Sequence, residues 1–248
     1  MNRIIFVTGA SRGIGKGIAE LFLDHGHRVA VGYRENKETA ECLTRKYSNA
    51  LAVQVDVADR SSIKRAIEAT RSYFGHGIEV LVNNGAIAQE KPFLTITDED
   101  WDHMHAVNLR GPFSFTQEVL PDMVEVRWGR IINITSIGGQ WGGFNQVHYA
   151  SAKAGLINFT RSMAKIFSAE GITVNAVAPG LVATDMSANE LQTEAGQEKV
   201  KAIPARRLGT IAEVAETVLF LSSEGASYIT GQTINLNGEI GRASCRER

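Results

Sequence analysis

The chain has 248 residues, room for one large α/β domain, and its 44% hydrophobic content with 24 glycines suits a packed fold with many tight turns. A net charge of −1, from 26 basic and 27 acidic residues interspersed along the chain, argues against a nucleic-acid surface, and no apolar run reaches the length of a membrane span. The opening MNRIIFVTGAS has too short an apolar core for a signal peptide, and Cys42 and Cys245 form no metal or disulfide pattern, so a reducing cytoplasm is the expected compartment.

Short β-branched runs alternate with helical patterns from one end to the other. The first, RIIFVT (3–8), runs straight into TGASRGIGKG. Here Gly9, Gly13 and Gly15 lie between a strand and an amphipathic helix with the stripe Ile14, Ile18, Leu21 and Phe22 and a C-cap at Gly26. A glycine triad alone is a weak signal and is also met in purely structural turns. In this context it favours nucleotide binding, because glycine lets the backbone approach a pyrophosphate whose charge rests on the helix N-terminus.

The second strand, RVAVGY (28–33), ends at Tyr33 and is followed by Arg34. An acid here accepts hydrogen bonds from a ribose 2′-hydroxyl, whereas a 2′-phosphate needs cations. Arg34, with Arg12 from the glycine turn, therefore favours NADP(H). Glu35 has nearly the spacing of a ribose-binding acid but is read as one position too late to point into the pocket.

Further strands follow at ALAVQVD (50–56), IEVLVN (78–83), RIINITS (130–136), ITVNAVA (172–178) and QTINLN (232–237), with helical rhythm over 61–74 and 212–221. Several are nearly all apolar, as suits parallel strands covered on both faces. The expected fold is one α/β domain over 1–238, a Rossmann-type doubly wound parallel sheet of about seven strands with helices on both faces. The last ten residues, EIGRASCRER (239–248), are basic, lack apolar periodicity and back-translate to a widely used sequencing adapter. They are read as a non-native tail, the alternative being a natural polar terminus.

Between the fifth and sixth strands lies NQVHYASAKAGL (145–156). On a helix, Tyr149 and Lys153 share a face one turn apart, and an ammonium so placed favours the phenolate and lowers the tyrosine pKa. That turns a phenol, inert at neutral pH, into an acid–base catalyst. The spacing by itself is commoner as a plain surface pair, and its weight comes from its company.

With the glycine turn, Ser136 and this pair in hand, the chain resembles the short-chain dehydrogenases/reductases over residues 3–238. The motifs fall in that family's order: TGASRGIG (8–15), DV (56–57), NNGA (83–86), VNL (107–109), ITS (134–136), YASAK (149–153) and PGLVATDM (179–186). The stretches WGRII (128–132), AEGITVNAVAPG (169–180), IPARRLGT (203–210) and SYITGQTINLNG (227–238) are similar to the branch that reduces 3-oxoacyl groups on acyl carrier protein.

The resemblance implies a role for each matched residue. Tyr149 gives its proton to the substrate carbonyl oxygen, Lys153 lowers the tyrosine pKa and bonds the nicotinamide ribose, and Ser136 holds the carbonyl. Asn108 anchors a water that links Lys153 to solvent. Gly9, Ser11, Arg12, Gly13, Ile14 and Gly15 form the pyrophosphate turn, and Arg34 meets the 2′-phosphate. Asp56 and Val57 flank the adenine, and Asn84 sits near the ribose. Pro179 and Gly180 border the cofactor, with Val182 and Thr184 facing its carboxamide. Gln140, Trp141, Phe144 and Gln146 fall between Ser136 and Tyr149 and are expected to border the substrate, although Trp141 reads equally as core.

Three departures from the family pattern stand out. Its usual NNAG is here NNGA, exchanging Gly85 and Ala86. Glu170 stands where carrier-protein users often have a base; with Glu125 it weakens docking of an acidic carrier, while Arg127, Arg130 and Lys165 support it. The odd tail replaces an apolar terminus that family tetramers use in packing. The pairs His25/His27 and His103/His105 point to different helix faces and predict no metal site. His148, next to Tyr149, reads as a helix-start residue, the alternative being a residue that tunes the active site, and residues 186–205 read as a mobile lid. The resemblance implies that the long helices beginning near Trp101 and His148 pack against their copies in a dimer and that the chain forms a homotetramer, while the sequence alone also permits a monomer.

The expected activity is NADPH-dependent reduction of a carrier-bound 3-oxoacyl thioester in fatty-acid synthesis. The alternatives are a broad ketoreductase or secondary alcohol dehydrogenase acting on simple ketones, and a non-catalytic dinucleotide sensor.

Overall fold

The computed structural model describes residues 2–184 and 193–239. Seven strands, β1 (Ile4–Val7), β2 (Arg28–Tyr33), β3 (Ala50–Gln54), β4 (Val80–Asn83), β5 (Gly129–Ile134), β6 (Ile172–Pro179) and β7 (Thr233–Leu236), form one parallel sheet in the order β3-β2-β1-β4-β5-β6-β7. Ile5 of β1 stands beside Val29 of β2 on one side and Val80 of β4 on the other. The expected doubly wound Rossmann-type sheet is therefore the one observed.

Strand alternation divides the core. Along β1, Ile5 and Val7 face one layer while Ile4 and Phe6 face the opposite layer. The first layer is covered by α1 (Gly13–Asp24), α2 (Lys37–Lys46) and a helix over Ile211–Leu221. The second is covered by α3 (Arg60–Phe74), α5 (Gly111–Glu125) and α7 (Val147–Phe167), with Phe6 and Phe115 in ring contact at 4.9 Å. Sheets buried on both faces require near-continuous apolar strands, and every residue of β5 and β6 is buried. Arg130 of β5 is among them, half-hidden from prediction by its charge.

Several strands end earlier than their apolar runs suggest. β3 stops at Gln54 rather than 56, and β5 at Ile134 rather than 136. The residues beyond leave the ladder to line the cleft at the strands' C-terminal edge.

α4 (Asp98–His105) and α5 are joined without a break by a π-turn over Ala106–Arg110. The wider turn carries Val107 and Asn108, both buried, and such turns recur at functional sites. A four-residue helix α6 (Gly138–Trp141) follows β5, and α8 (Glu194–Ala202) and α9 (Ile211–Leu221) precede β7. The lid expected over 186–205 lies partly outside the described residues; α8 and the buried Ile203 account for its later part.

Candidate active site

A cleft of about 790 Å³ opens at the C-terminal edge of the sheet, beside the point where strand order reverses between β1 and β4. Open α/β sheets bind ligands at this position, and the volume is that of a cofactor site. Among the candidates, Gly9, Ser11, Arg12, Gly13, Ile14, Arg34, Asp56, Val57, Asn84, Ser136, Tyr149, Lys153, Pro179, Gly180 and Thr184 line it. Gly15, Asn108 and Val182 do not. Val182 is buried behind the wall, where it bridges to Gly209.

The glycine turn is shaped by close packing. Gly9 has φ +64°, and a Cβ there would stand 2.8 Å from Gly85 Cα; one on Gly15 would lie 2.3 Å from both Asn84 Nδ2 and Gly9 O. Gly15 is thus the packing glycine beneath the turn. Thr8, missed in the sequence reading, is its clasp: Thr8 Oγ1 accepts from the backbone N–H of Asn84 (2.9 Å) and Gly85 (2.8 Å). The Asn84 amide is used in the same way, donating to Thr8 O and Gly9 O. Above the turn, α1 begins with neither a side-chain cap nor an acidic residue in its first turn. Its first residues, Gly13 and Ile14, line the cleft, and a helix N-terminus so placed suits an anion such as a pyrophosphate.

At the adenosine end two cations line the cleft. Arg12 is exposed and has no ion-pair partner among the described residues. Arg34 donates from Nε (2.9 Å) and Nη2 (2.6 Å) to one oxygen of Glu35. Glu35 itself lines the cleft, contrary to the expectation that it sits one residue too late. Beyond the end of β2 the chain no longer alternates faces, so counting by strand period fails there.

At the other end, α7 presents Tyr149 and Lys153 to the cleft. Lys153 is 3% exposed and its Nζ donates to Ile134 O at 2.9 Å; burial lowers its pKa to about 8. Its Nζ lies 5.7 Å from the Tyr149 ring centre. Burial raises the Tyr149 pKa, with the nearby Ser136 hydroxyl opposing it. The expected lowering by Lys153 is not seen, because the ammonium is turned to the end of β5 and desolvation outweighs the influence of the neighbouring Ser136 hydroxyl. Asn108 donates from Nδ2 to Ile87 O (3.0 Å) and Met104 O (3.1 Å), leaving Oδ1 buried without a partner among the described residues.

A buried polar chain, also missed from sequence, sets the register of α7. Asn83 Nδ2 donates to Asn133 Oδ1 (2.8 Å), Asn133 Nδ2 to Thr160 Oγ1 (2.9 Å), and Thr160 Oγ1 to Leu156 O. His148 is fully buried at the start of α7 and pairs with Gln89 through Nε2 at 2.9 Å. This holds the loop whose Ile87 and Ala88 line the cleft.

The four expected substrate residues lie outside the cleft wall. Gln140 bonds Asn235 on β7, Gln146 reaches Glu90, Trp141 is 44% exposed and so not core, and Phe144 is 91% exposed. On the face considered for carrier docking, Arg130 is 2% exposed and stacks on Trp128, which Arg3 covers from another approach at 3.8 Å. It is unavailable to a partner. Arg127 pairs with Glu170 at 3.1 Å, while Lys165 remains exposed. No three His, Cys, Asp or Glu side chains among the described residues are grouped to hold a metal.

A family model described as enoyl-(acyl carrier protein) reductase matches residues 9–238. The chain is 44% identical over 241 residues to a 3-oxoacyl-(acyl-carrier-protein) reductase of Aquifex aeolicus, covering 95% of this chain and 96% of that one. It is 40% identical over 242 residues to the Staphylococcus epidermidis protein of the same name, covering 96% and 98%. The Vibrio cholerae protein so named is 39% identical over 237 residues, covering 95% and 96%.

The chain belongs to the short-chain dehydrogenase/reductase family. It is accordingly an oxidoreductase built for a nicotinamide dinucleotide. The NNGA departure from the family pattern is a minor one. A Cβ on residue 85 would meet Thr8 Oγ1 at 3.3 Å and Val57 Cγ1 at 3.4 Å, so the family's alanine needs a shift of only a few tenths of an ångström. The exchange moves one methyl from that contact to Ala86 on the cleft wall.

Proposed function

We propose that this protein uses NADPH to reduce the ketone of a 3-oxoacyl thioester carried on acyl carrier protein, as in fatty-acid synthesis. The observation that carries this reading is that Ser136 and Tyr149 line the same cleft with Lys153, one helical turn beyond Tyr149, buried beside them. A binding-only sensor needs no such acid–base pair. The names of the relatives supply the substrate class.

The dinucleotide, when bound, supplies the hydride. Ser136 donates a hydrogen bond to the substrate carbonyl oxygen and keeps it within reach of the Tyr149 hydroxyl, which gives that oxygen its proton. The neighbouring Ser136 hydroxyl and the Lys153 ammonium favour the phenolate left behind. Lys153, largely an ammonium below about pH 8, adds positive charge at the end of β5 and a donor for the nicotinamide ribose. The orphaned Asn108 Oδ1 suits a water returning protons toward Lys153. Arg12 and Arg34 favour the 2′-phosphate of NADPH, and the uncapped N-terminus of α1 suits the pyrophosphate.

A second reading, a ketoreductase indifferent to the carrier, rests on the docking face. There Glu170 neutralises Arg127, and Arg130 is buried, which weakens attraction for an acidic partner. We also read the protein as a cytoplasmic homo-oligomer.

Steady-state assays with NADPH and acetoacetyl groups on carrier protein, on coenzyme A and as simple ketones test these readings together. Turnover preferring the carrier supports the first, equal turnover the second, and none at all leaves the sensor. Tyr149→Phe is expected to lower kcat by at least about a thousandfold while NADPH affinity changes less than about twofold. Retained turnover would remove Tyr149 as proton donor.

A further inference from the structure

We propose that Glu35 is a built-in competitor for the 2′-phosphate: it pairs with Arg34, competes with the phosphate of NADPH for the same guanidinium, and can stay in place for NADH. The inference rests on the reading above that Arg34 meets the 2′-phosphate. Nε and Nη2 of Arg34 both donate to Glu35 Oε1, at 2.9 and 2.6 Å, so one of the two guanidinium edges able to grip a phosphate is already in use. Both residues line the cofactor cleft. Arg34 is the sole ion partner of Glu35 among the described residues, since neighbouring Lys37 pairs with Glu41 at 3.4 Å.

The pair is half or more exposed, at 50% and 73%, so water screens it and it can open. A 2′-phosphate on Arg34 must either displace Glu35 from Nε and Nη2 or share the guanidinium with it through Nη1, and in both cases tolerates a carboxylate close by. A 2′-hydroxyl does neither, and the carboxylate can accept its hydrogen bond. Glu35 therefore weakens the preference that Arg12 and Arg34 create, and the protein accepts both dinucleotides. The determinant is the second residue past β2, with Arg34 left unchanged.

The test is the dissociation constant of NADPH and of NADH, read from nicotinamide fluorescence, for wild type, Glu35→Gln, Arg34→Ala and the double variant. Glu35→Gln is expected to tighten NADPH by up to about fivefold, the upper end for an exposed ion pair, with no tightening of NADH. In the Arg34→Ala background that gain should vanish. An NADPH constant unchanged or raised in Glu35→Gln overturns the proposal, and so does a gain that persists without Arg34, since the effect would then be long-range charge alone. If Arg34→Ala leaves the ratio of the two constants untouched, the NADPH reading itself fails, a result distinct from failure of Glu35→Gln alone.

Discussion

Lys153 is the residue at which burial and chemistry oppose each other most directly. Its pKa falls from 10.5 to about 8 because the ammonium has one carbonyl partner, Ile134 O, and almost no water. Below about pH 8 both folded and unfolded chains hold the proton, and the folded chain bears the whole cost of the buried charge. Between about 8 and 10.5 the folded chain has released its proton while the unfolded chain keeps it, so stability rises with pH across this window. The shift corresponds to about 3 kcal/mol. Urea unfolding of Lys153→Met beside wild type should therefore show wild type gaining about 2–3 kcal/mol relative to the variant from pH 7 to 10. A constant difference would mean that Lys153 is not desolvated. Tyr149 and Lys153 could be picked out from sequence because their relation is local, four residues on one helix. The direction in which Lys153 points could not, because its partner is 19 residues away on β5.

Among the elements, α7 carries both acid–base residues, so its position on the sheet sets the geometry of the site. The Asn83–Asn133–Thr160 chain ties β4 and β5 to this helix through a fully buried core. Asn133→Ala removes one acceptor and one donor and strands their partners. It should cost about 1–3 kcal/mol in denaturant unfolding and lower kcat more than it raises the KM for NADPH, since the catalytic pair shifts while the glycine turn keeps its own clasp at Thr8. A variant as stable as wild type would show that the chain is dispensable for α7. Helix and strand types were readable from periodicity because each needs only its own residues. Strand ends were not, since where a ladder stops depends on the neighbouring strand.

For the molecule as a whole, the face made by α4, the π-turn, α5 and α7 stays unpaired in the single chain. Leu109, Phe113 and Phe159 line a shallow hollow there, with Phe113 at 41% and Trp101 at 40% exposure and Glu99, Asp102 and Arg110 around it. Apolar side chains ringed by charges mark an interface, and the homo-oligomer proposed above is the occupant of matching chemistry. Light scattering should give wild type more than one chain per particle, and Phe113→Asp should reduce that number without unfolding the sheet. A monomeric wild type would remove this part of the proposal.

Apolar alternation, helical stripes and the glycine turn specified a seven-stranded doubly wound sheet and the acid–base helix, because each signal is complete within a few consecutive residues. Arg34 bound to Glu35, Arg130 buried against Trp128, Gln140 drawn to Asn235 and Asn108 with one orphaned oxygen came from the packed chain alone. Pairing and desolvation are properties of a side chain's surroundings in space. Segments distant in sequence supply most of those surroundings, and even adjacent partners such as Arg34 and Glu35 reveal their pairing only once the backbone aims both side chains.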